Sequence, residues 1–177
     1  MHERELWEKC VAFHGHSCPG LLLGYKAALY ATELLELSFS ADEEVACVSE
    51  NDACCVDAIQ VILGCSAGKG NLMFHMTGKV AFSFYDRRSG KSARLVCKPR
   101  TKAASKDEEF ARLWKMAPAE IYEVKPTKIA LPEPAKIFGS IVCDSCGELT
   151  SENYIHLQGG KKLCPDCYTP YNRFNVF

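Results

Sequence analysis

No stretch of this chain approaches the ~18 consecutive apolar residues that a membrane-spanning helix requires, so no membrane role is expected. No secretory leader is expected either, since Met1 runs directly into the charged segment from His2 to Glu5 with no basic and apolar regions behind it. There is no internal repeat and no low-complexity tract. Charge of one sign is also scarce. Twenty-one Lys and Arg against 22 Asp and Glu leave a formal net charge of −1, which steers the molecule toward no particular partner.

What the chain has in plenty is cysteine, eleven in 177 residues. A cytoplasmic chain keeps its thiols reduced, and there such a count signals metal or redox chemistry more often than disulfides. Hydrophobic residues at 47% and charged residues at 24% suit a domain with a real core, or one domain and a small module. Three prolines in PTKIALPEP, residues 126–134, mark a composition change and an extended linker. The expected division is a core domain at 1–125, a linker at 126–139 and a cysteine module at 140–177.

Apolar periodicity predicts helices over 3–13, 20–38, 53–63 and 106–117. The second is small-residued and apolar apart from an arc of Lys26, Thr32, Glu33 and Glu36, so it reads as a central, mostly buried helix. Ser105 and Glu108 have the spacing of a capping box at the start of the last. Strands are predicted over 44–49, 71–76, 80–85 and 93–98, with turn signals at Thr77-Gly78 and Arg88-Ser89-Gly90. Helices and strands in this order give an α+β class, a sheet flanked by helices.

Cys143-Asp-Ser-Cys146 and Cys164-Pro-Asp-Cys167 have the spacing of a four-cysteine zinc site. Two such turns bring four thiolates around one ion, and Gly147 suits the positive φ that follows a knuckle. Gly159-Gly160 predicts a hairpin between the pairs, and Pro165 opens a short helix carrying Cys167. Knuckle, hairpin and helix make a treble clef or ribbon, and so small a core leaves metal to supply the folding energy.

A second group of donors lies in the core domain. In His14-Gly15-His16-Ser17-Cys18-Pro19, Cys18 falls at a helix N-cap, where free N–H groups and the positive helix end favour thiolate. His16 and Cys18, two apart on an extended segment, can share an ion. Further along, Cys54 and Asp57 share a helix face, and Asp57 is set among apolar residues that leave it needing a cation or hydrogen bonds. It either binds metal or orients a ligand such as His16. Gly64-Cys65-Ser66-Ala67-Gly68-Lys69 fails the phosphate-loop spacing, and its glycines are expected to bring Cys65 and Lys69 close to the same site. Cys10, Cys47 and Cys97 fall at core positions.

The stretches FHGHSCPGLLLGYKAA (13–28) and CCVDAIQVILGCSAGKGNL (54–72), with the strand that follows and the C-terminal cysteines, resemble the FmdE family, named for a component of formylmethanofuran dehydrogenase. The resemblance implies a thioredoxin-like mixed sheet with a treble-clef finger. It also implies a metal-binding active site at His16, Cys18, Cys54 and Cys65 holding zinc or iron, with Cys18 and Asp57 as the catalytic pair. It associates the chain with a molybdenum or tungsten enzyme of anaerobic one-carbon metabolism. Cys18-Pro-Gly-Leu21 lacks the second cysteine of a CxxC redox pair.

A structural zinc at the C-terminus and a zinc or iron centre in the core domain are therefore expected. The apolar helices 3–13 and 20–38 suit a homodimer, and the partner would be a redox or molybdenum/tungsten enzyme. The competing expectation is a docking module using eight Lys and Arg between Arg87 and Lys106, with no acidic residue among them. Near-neutral overall charge argues against nucleic acid as its partner. A third expectation is catalysis by Cys18 as nucleophile, with His14 or His16 as base.

Overall fold

In the computed structural model, residues 3–101 and 103–173 are described. The chain divides into two compact units, Met1–Ala135 and Lys136–Phe177. The first is built from α1 (Glu3–His14), α2 (Pro19–Leu35), β1 (Val45–Ser49), α3 (Cys55–Leu63), β2 (Leu72–Phe74), β3 (Ala81–Asp86), β4 (Ser92–Cys97), α4 (Lys106–Lys115), α5 (Pro118–Ile121) and β5 (Tyr122–Lys125). Its five strands run in the order β2-β1-β3-β4-β5. β1 and β2 are parallel, joined through α3, and every other neighbour is antiparallel. The class is α+β with a mixed sheet.

Helix α2 is the centre of the core. Leu21, Leu22, Tyr25, Ala28 and Ala31 are fully buried, meeting Ile59 of α3 and Phe82, Phe84 and Leu95 of the sheet. Phe82 and Phe84 are two apart, so both face the helices. Of the expected polar arc, Lys26 is instead buried, and its Nζ donates to the Trp114 carbonyl 3.1 Å away in the last turn of α4. A cation suits that carbonyl end of a helix. α2 stops short of the expected Ser38 because Glu36 turns left-handed at φ 56°.

The far face of the sheet carries Ala46, Val48 and Tyr85, with Ile129 packed on them. Tyr85 Oη donates to the Ile129 carbonyl (2.8 Å), Arg87 Nη1 to the Pro132 carbonyl (2.6 Å), and Ala135 N to Glu43 Oε2 (3.0 Å). The proline-rich segment is thus tied down along most of its length. Nothing in the apolar periodicity predicts α5 or β5. After the buried Tyr122, β5 runs through exposed Glu123 and Val124 to half-buried Lys125 at the sheet edge, so it shows no alternation.

The second unit consists of two hairpins, β6 (Ser140–Val142) with β7 (Leu149–Ser151) and β8 (His156–Gln158) with β9 (Lys161–Leu163). Gly159 and Gly160, at φ 59° and 77°, form the turn between β8 and β9, the positive-φ pair that a two-residue hairpin loop favours. The helix expected from Pro165 is a turn over 165–167, and no helix follows it among the described residues. Tyr168 N and Cys167 N both bond back to the Cys164 carbonyl, at 2.9 and 3.1 Å, closing the chain into a knuckle. No helix of the described residues is long and apolar enough to cross a membrane.

Candidate metal centres

The four C-terminal cysteines converge, their sulfurs lying within 4.8 Å of one another. Gly147, at φ 78°, turns the chain after the first pair, and its N–H returns to the Cys143 carbonyl at 3.0 Å. The Cys143 thiol is pulled down to about 6 by the N–H groups of Cys146, Cys164 and Ser145. Backbone donors aimed at sulfur are what a thiolate zinc site uses to spread its charge. Cys143, Cys146, Cys164 and Cys167 fit one zinc ion.

In the first unit, α1 ends at His14 because Gly15 takes φ 89°. That turn swings the chain so that His14, His16 and Cys18 face one another, with donor atoms within 4.8 Å. The edges of a tetrahedral zinc site are roughly 3.5 Å, so a small closure suffices. Cys18 is the N-cap of α2, its sulfur accepting from Leu21 N at 3.3 Å, with Pro19 in the first turn. Its sulfur lies 3.8 Å from His14 Nε2. The His14 and His16 rings are 4.5 Å apart.

Asp57 sits on α3, two residues after its first. Its Oδ2 is 2.7 Å from His14 Nδ1, and its Oδ1 accepts from Gln60 Nε2 at 3.2 Å. The pairing assigns the His14 proton to Nδ1 and leaves Nε2 to face Cys18. Asp57 therefore orients an imidazole, and the ring it orients is His14 rather than His16. Sequence reasoning singles out His14 only as a base. The signal available there is Gly15 between two histidines, a turn able to fold the first back onto the second.

Cys54, immediately before α3, belongs beside Cys18. A Cβ placed on Gly20 would be 3.7 Å from Cys54 Sγ and 3.8 Å from Cys18 Sγ. Burial and then the adjacent Cys18 thiol push the Cys54 thiol up. His16, Cys18 and Cys54, with Arg100, Ser105 and Lys106 facing them, line a cleft of about 690 Å³.

Cys65 is a correction. It is fully buried, its thiol reaching the Val45 carbonyl at 3.6 Å. Cys54 and Cys65 flank opposite ends of α3, and nine helical residues at ~1.5 Å each put about 13 Å between those ends. One ion cannot join them. Lys69 leaves the site as well, donating to the Ser40 carbonyl at 2.7 Å. Cys10 and Cys47 are core residues as expected, while Cys97 is half-buried with Arg100 Nη1 2.7 Å from its sulfur.

The basic stretch from Arg87 to Lys106 is not a free cationic stripe. Arg87 pairs with Glu43, Arg88 with Asp86, Lys91 with Glu36, Arg94 with Glu50 and Arg100 with Glu109. Lys98 Nζ donates to the Ala119 carbonyl. Lys102, another of the eight, lies outside the described residues.

Residues 13–136 match the family described as FmdE, molybdenum formylmethanofuran dehydrogenase operon, and residues 136–173 match the prokaryotic dksA/traR C4-type zinc finger. A protein of Archaeoglobus fulgidus named "Probable S-adenosyl-L-methionine-binding protein" is 28% identical over 169 residues, covering 77% of this chain and 46% of that one. The chain thus spans about half the length of that relative. The crystal structure of a tungsten formylmethanofuran dehydrogenase FmdE-like protein from Syntrophus aciditrophicus superposes with a TM-score of 0.71 at 25% identity, covering 93% of this chain and 91% of that one. The chain belongs to the FmdE family.

Proposed function

We propose that this FmdE-family chain is an auxiliary metalloprotein of one-carbon metabolism, with a zinc or iron centre held by His14, His16 and Cys18 and a structural zinc in its finger. The convergence of those three donors, with His16 and Cys18 at the wall of a cleft, carries the proposal. Mixed imidazole and thiolate donors suit zinc, and iron second. Three protein ligands are one fewer than a closed structural site uses. A metal ion held by these residues would supply Lewis acidity toward a substrate in the cleft. The chain's own residues do the rest. Asp57 fixes the His14 ring, Gln60 fixes Asp57, and the α2 N-terminus holds the Cys18 sulfur. Cys54 stands next to Cys18, outside that set of three.

The Syntrophus protein carries the name of a tungsten enzyme, and that likeness supports a molybdenum or tungsten enzyme as partner here; the proposal places both in the cytoplasm. A thioredoxin-like architecture is part of the same proposal, supported by a cysteine capping the helix that packs on a mixed sheet. Homodimerisation is supported by the apolar groove between α1 and α4, lined by Trp7, Val11, Phe110 and Trp114.

Metal analysis tests the centre. Two ions per chain are expected, one lost in a His14→Ala/His16→Ala variant and the other in Cys143→Ser. A single ion, lost only with Cys143, defeats the proposal.

The 3.8 Å approach of His14 Nε2 to Cys18 Sγ favours a second reading, in which Asp57, His14 and Cys18 act as orienter, base and nucleophile. Iodoacetamide labelling separates the two. Ligation predicts that Cys18 is protected until a chelator is added, whereas a bare nucleophile labels equally in both states.

A further inference from the structure

The cysteine that the Cys18-Pro-Gly-Leu21 motif lacks in sequence is supplied in space by Cys54. Gly20, in the first turn of α2, has no side chain, and Cys54 fills the gap above it. A Cβ there would come within 3.2 Å of Cys54 Cβ and between both sulfurs. That one point lies 3.7 Å from Cys54 Sγ and 3.8 Å from Cys18 Sγ. Both are half-buried and both line the cleft, so a reagent in solution reaches them. Of the other core cysteines, Cys10, Cys47, Cys55 and Cys65 are buried at 2% exposure or less, and the half-buried Cys97 has Arg100 against its sulfur. One pair among seven core thiols is therefore both adjacent and accessible.

We propose that Cys18 and Cys54 form a redox-active dithiol that closes reversibly to a disulfide by exchange with a low-molecular-weight disulfide. Cys18 is the attacking sulfur. It caps α2, accepts the Leu21 N–H and has His14 Nε2 at 3.8 Å to receive its proton. Its thiolate attacks one sulfur of the small disulfide, the S–S bond breaks, and one small thiol leaves with a proton. Cys54 then attacks Cys18 Sγ in the mixed disulfide, forming the internal bond and releasing the second small thiol with the proton from Cys54. The chain's two thiols lose two electrons and two protons in all, and the small disulfide becomes two thiols. The inference stands apart from the metal proposal, but the two meet at Cys18. A sulfur in a disulfide is no longer a thiolate ligand, so oxidation and metal occupancy exclude each other.

The test uses the full chain with zinc kept in the finger and the first unit stripped by a mild chelator. It is treated with oxidised glutathione, alkylated, digested and sequenced by fragmentation. The expected result is a Cys18–Cys54 link, with loss of alkylation at both positions together and its return after dithiothreitol. In Cys54→Ser, glutathione should remain trapped on Cys18. A glutathione adduct on Cys18 that persists equally in the wild type overturns the proposal, and so does Cys18 that stays free to alkylate with no link formed. Zinc added beforehand should suppress the link. If the link forms at the same rate with zinc present, the dithiol stands and Cys18 is not a metal ligand.

Discussion

Gly24 on α2 and the backbone of Cys55 on α3 leave no room for a methyl group between them, since a Cβ on Gly24 would overlap the Cys55 carbonyl. Gly20 lies one turn earlier on the same helix face. The two glycines let α3 settle against α2 closely enough to put Cys54 beside Cys18. A Gly-to-Ala change inside a helix ordinarily stabilises by up to ~1 kcal/mol. Here the sign reverses, because the obstacle is backbone. Gly24→Ala is expected to lower stability by about 2 kcal/mol or more, read as a lower urea midpoint, with weakened metal binding in the first unit. Gly20→Ala meets only a side chain, so stability should hold while Cys54 is displaced.

The Asp57–His14 contact predicts a more selective effect. Asp57→Asn keeps the shape of the side chain but loses the negative charge that fixes the His14 tautomer. Affinity of the first unit for zinc should fall about 10- to 100-fold, measured by competition with a chromogenic chelator. The finger's zinc should be unaffected. If both sites weaken together, the change has unfolded the chain rather than loosened a ligand.

Parts of this arrangement are legible in the sequence and others are hidden. Four cysteines in two CxxC pairs describe their own site, because each pair is local and the spacing between pairs is a familiar one. Cys18 as an N-cap followed by Pro19 is equally local. Cys65 misleads because a cysteine near a glycine-rich loop says nothing about which end of α3 it occupies relative to Cys54. His14 is easily underweighted because Asp57, the residue that fixes its role, is 43 positions away. Elements with clear periodicity are legible to within a few residues, and β5, short and half-exposed at the sheet edge, is not.

Cys65 offers a test in the opposite sense to Asp57. Its side chain is buried in the core, so Cys65→Ala should cost about 1 kcal/mol through the small void it leaves. Metal content should stay at the wild-type value in both units. A lost ion in this variant would return Cys65 to the centre and contradict its place in the core.

Arg94 and Glu50 form a buried ion pair at 2.5 Å beneath the sheet's far face, and Thr77 Oγ1 donates to the other Glu50 oxygen at 2.8 Å. The Arg94 guanidinium holds the Glu50 carboxyl below its usual range. A carboxylate depressed in the folded state contributes stability above its unfolded value, near 4.5, and that stability is lost as pH falls through the lower folded value. Removing one partner leaves a buried charge, so Arg94→Met should cost roughly 3 to 5 kcal/mol at pH 7. The gap between wild type and Glu50→Gln in urea midpoint should narrow only below about pH 4. A gap that is constant from pH 7 down to pH 3 would mean that Glu50 is not acting as an ionised partner.

The finger should depend on its metal for folding, not merely for local order. Its buried cluster consists of Cys143, Leu163 and Cys164, with Cys167 and Tyr168 against them, so three of those five residues are ligands. Without the ion almost no apolar core is left to oppose the chain entropy. Binding energies of about 10 to 16 kcal/mol are typical where metal and folding are coupled in this way. Chelation, or Cys143→Ser, should therefore abolish amide protection throughout 140–167 while β1, β3 and β4 of the first unit keep theirs. Hydrogen exchange followed by mass spectrometry reads both units in one experiment. Protection that survives in β8 and β9 after the zinc is gone would show that the hairpins fold on their own.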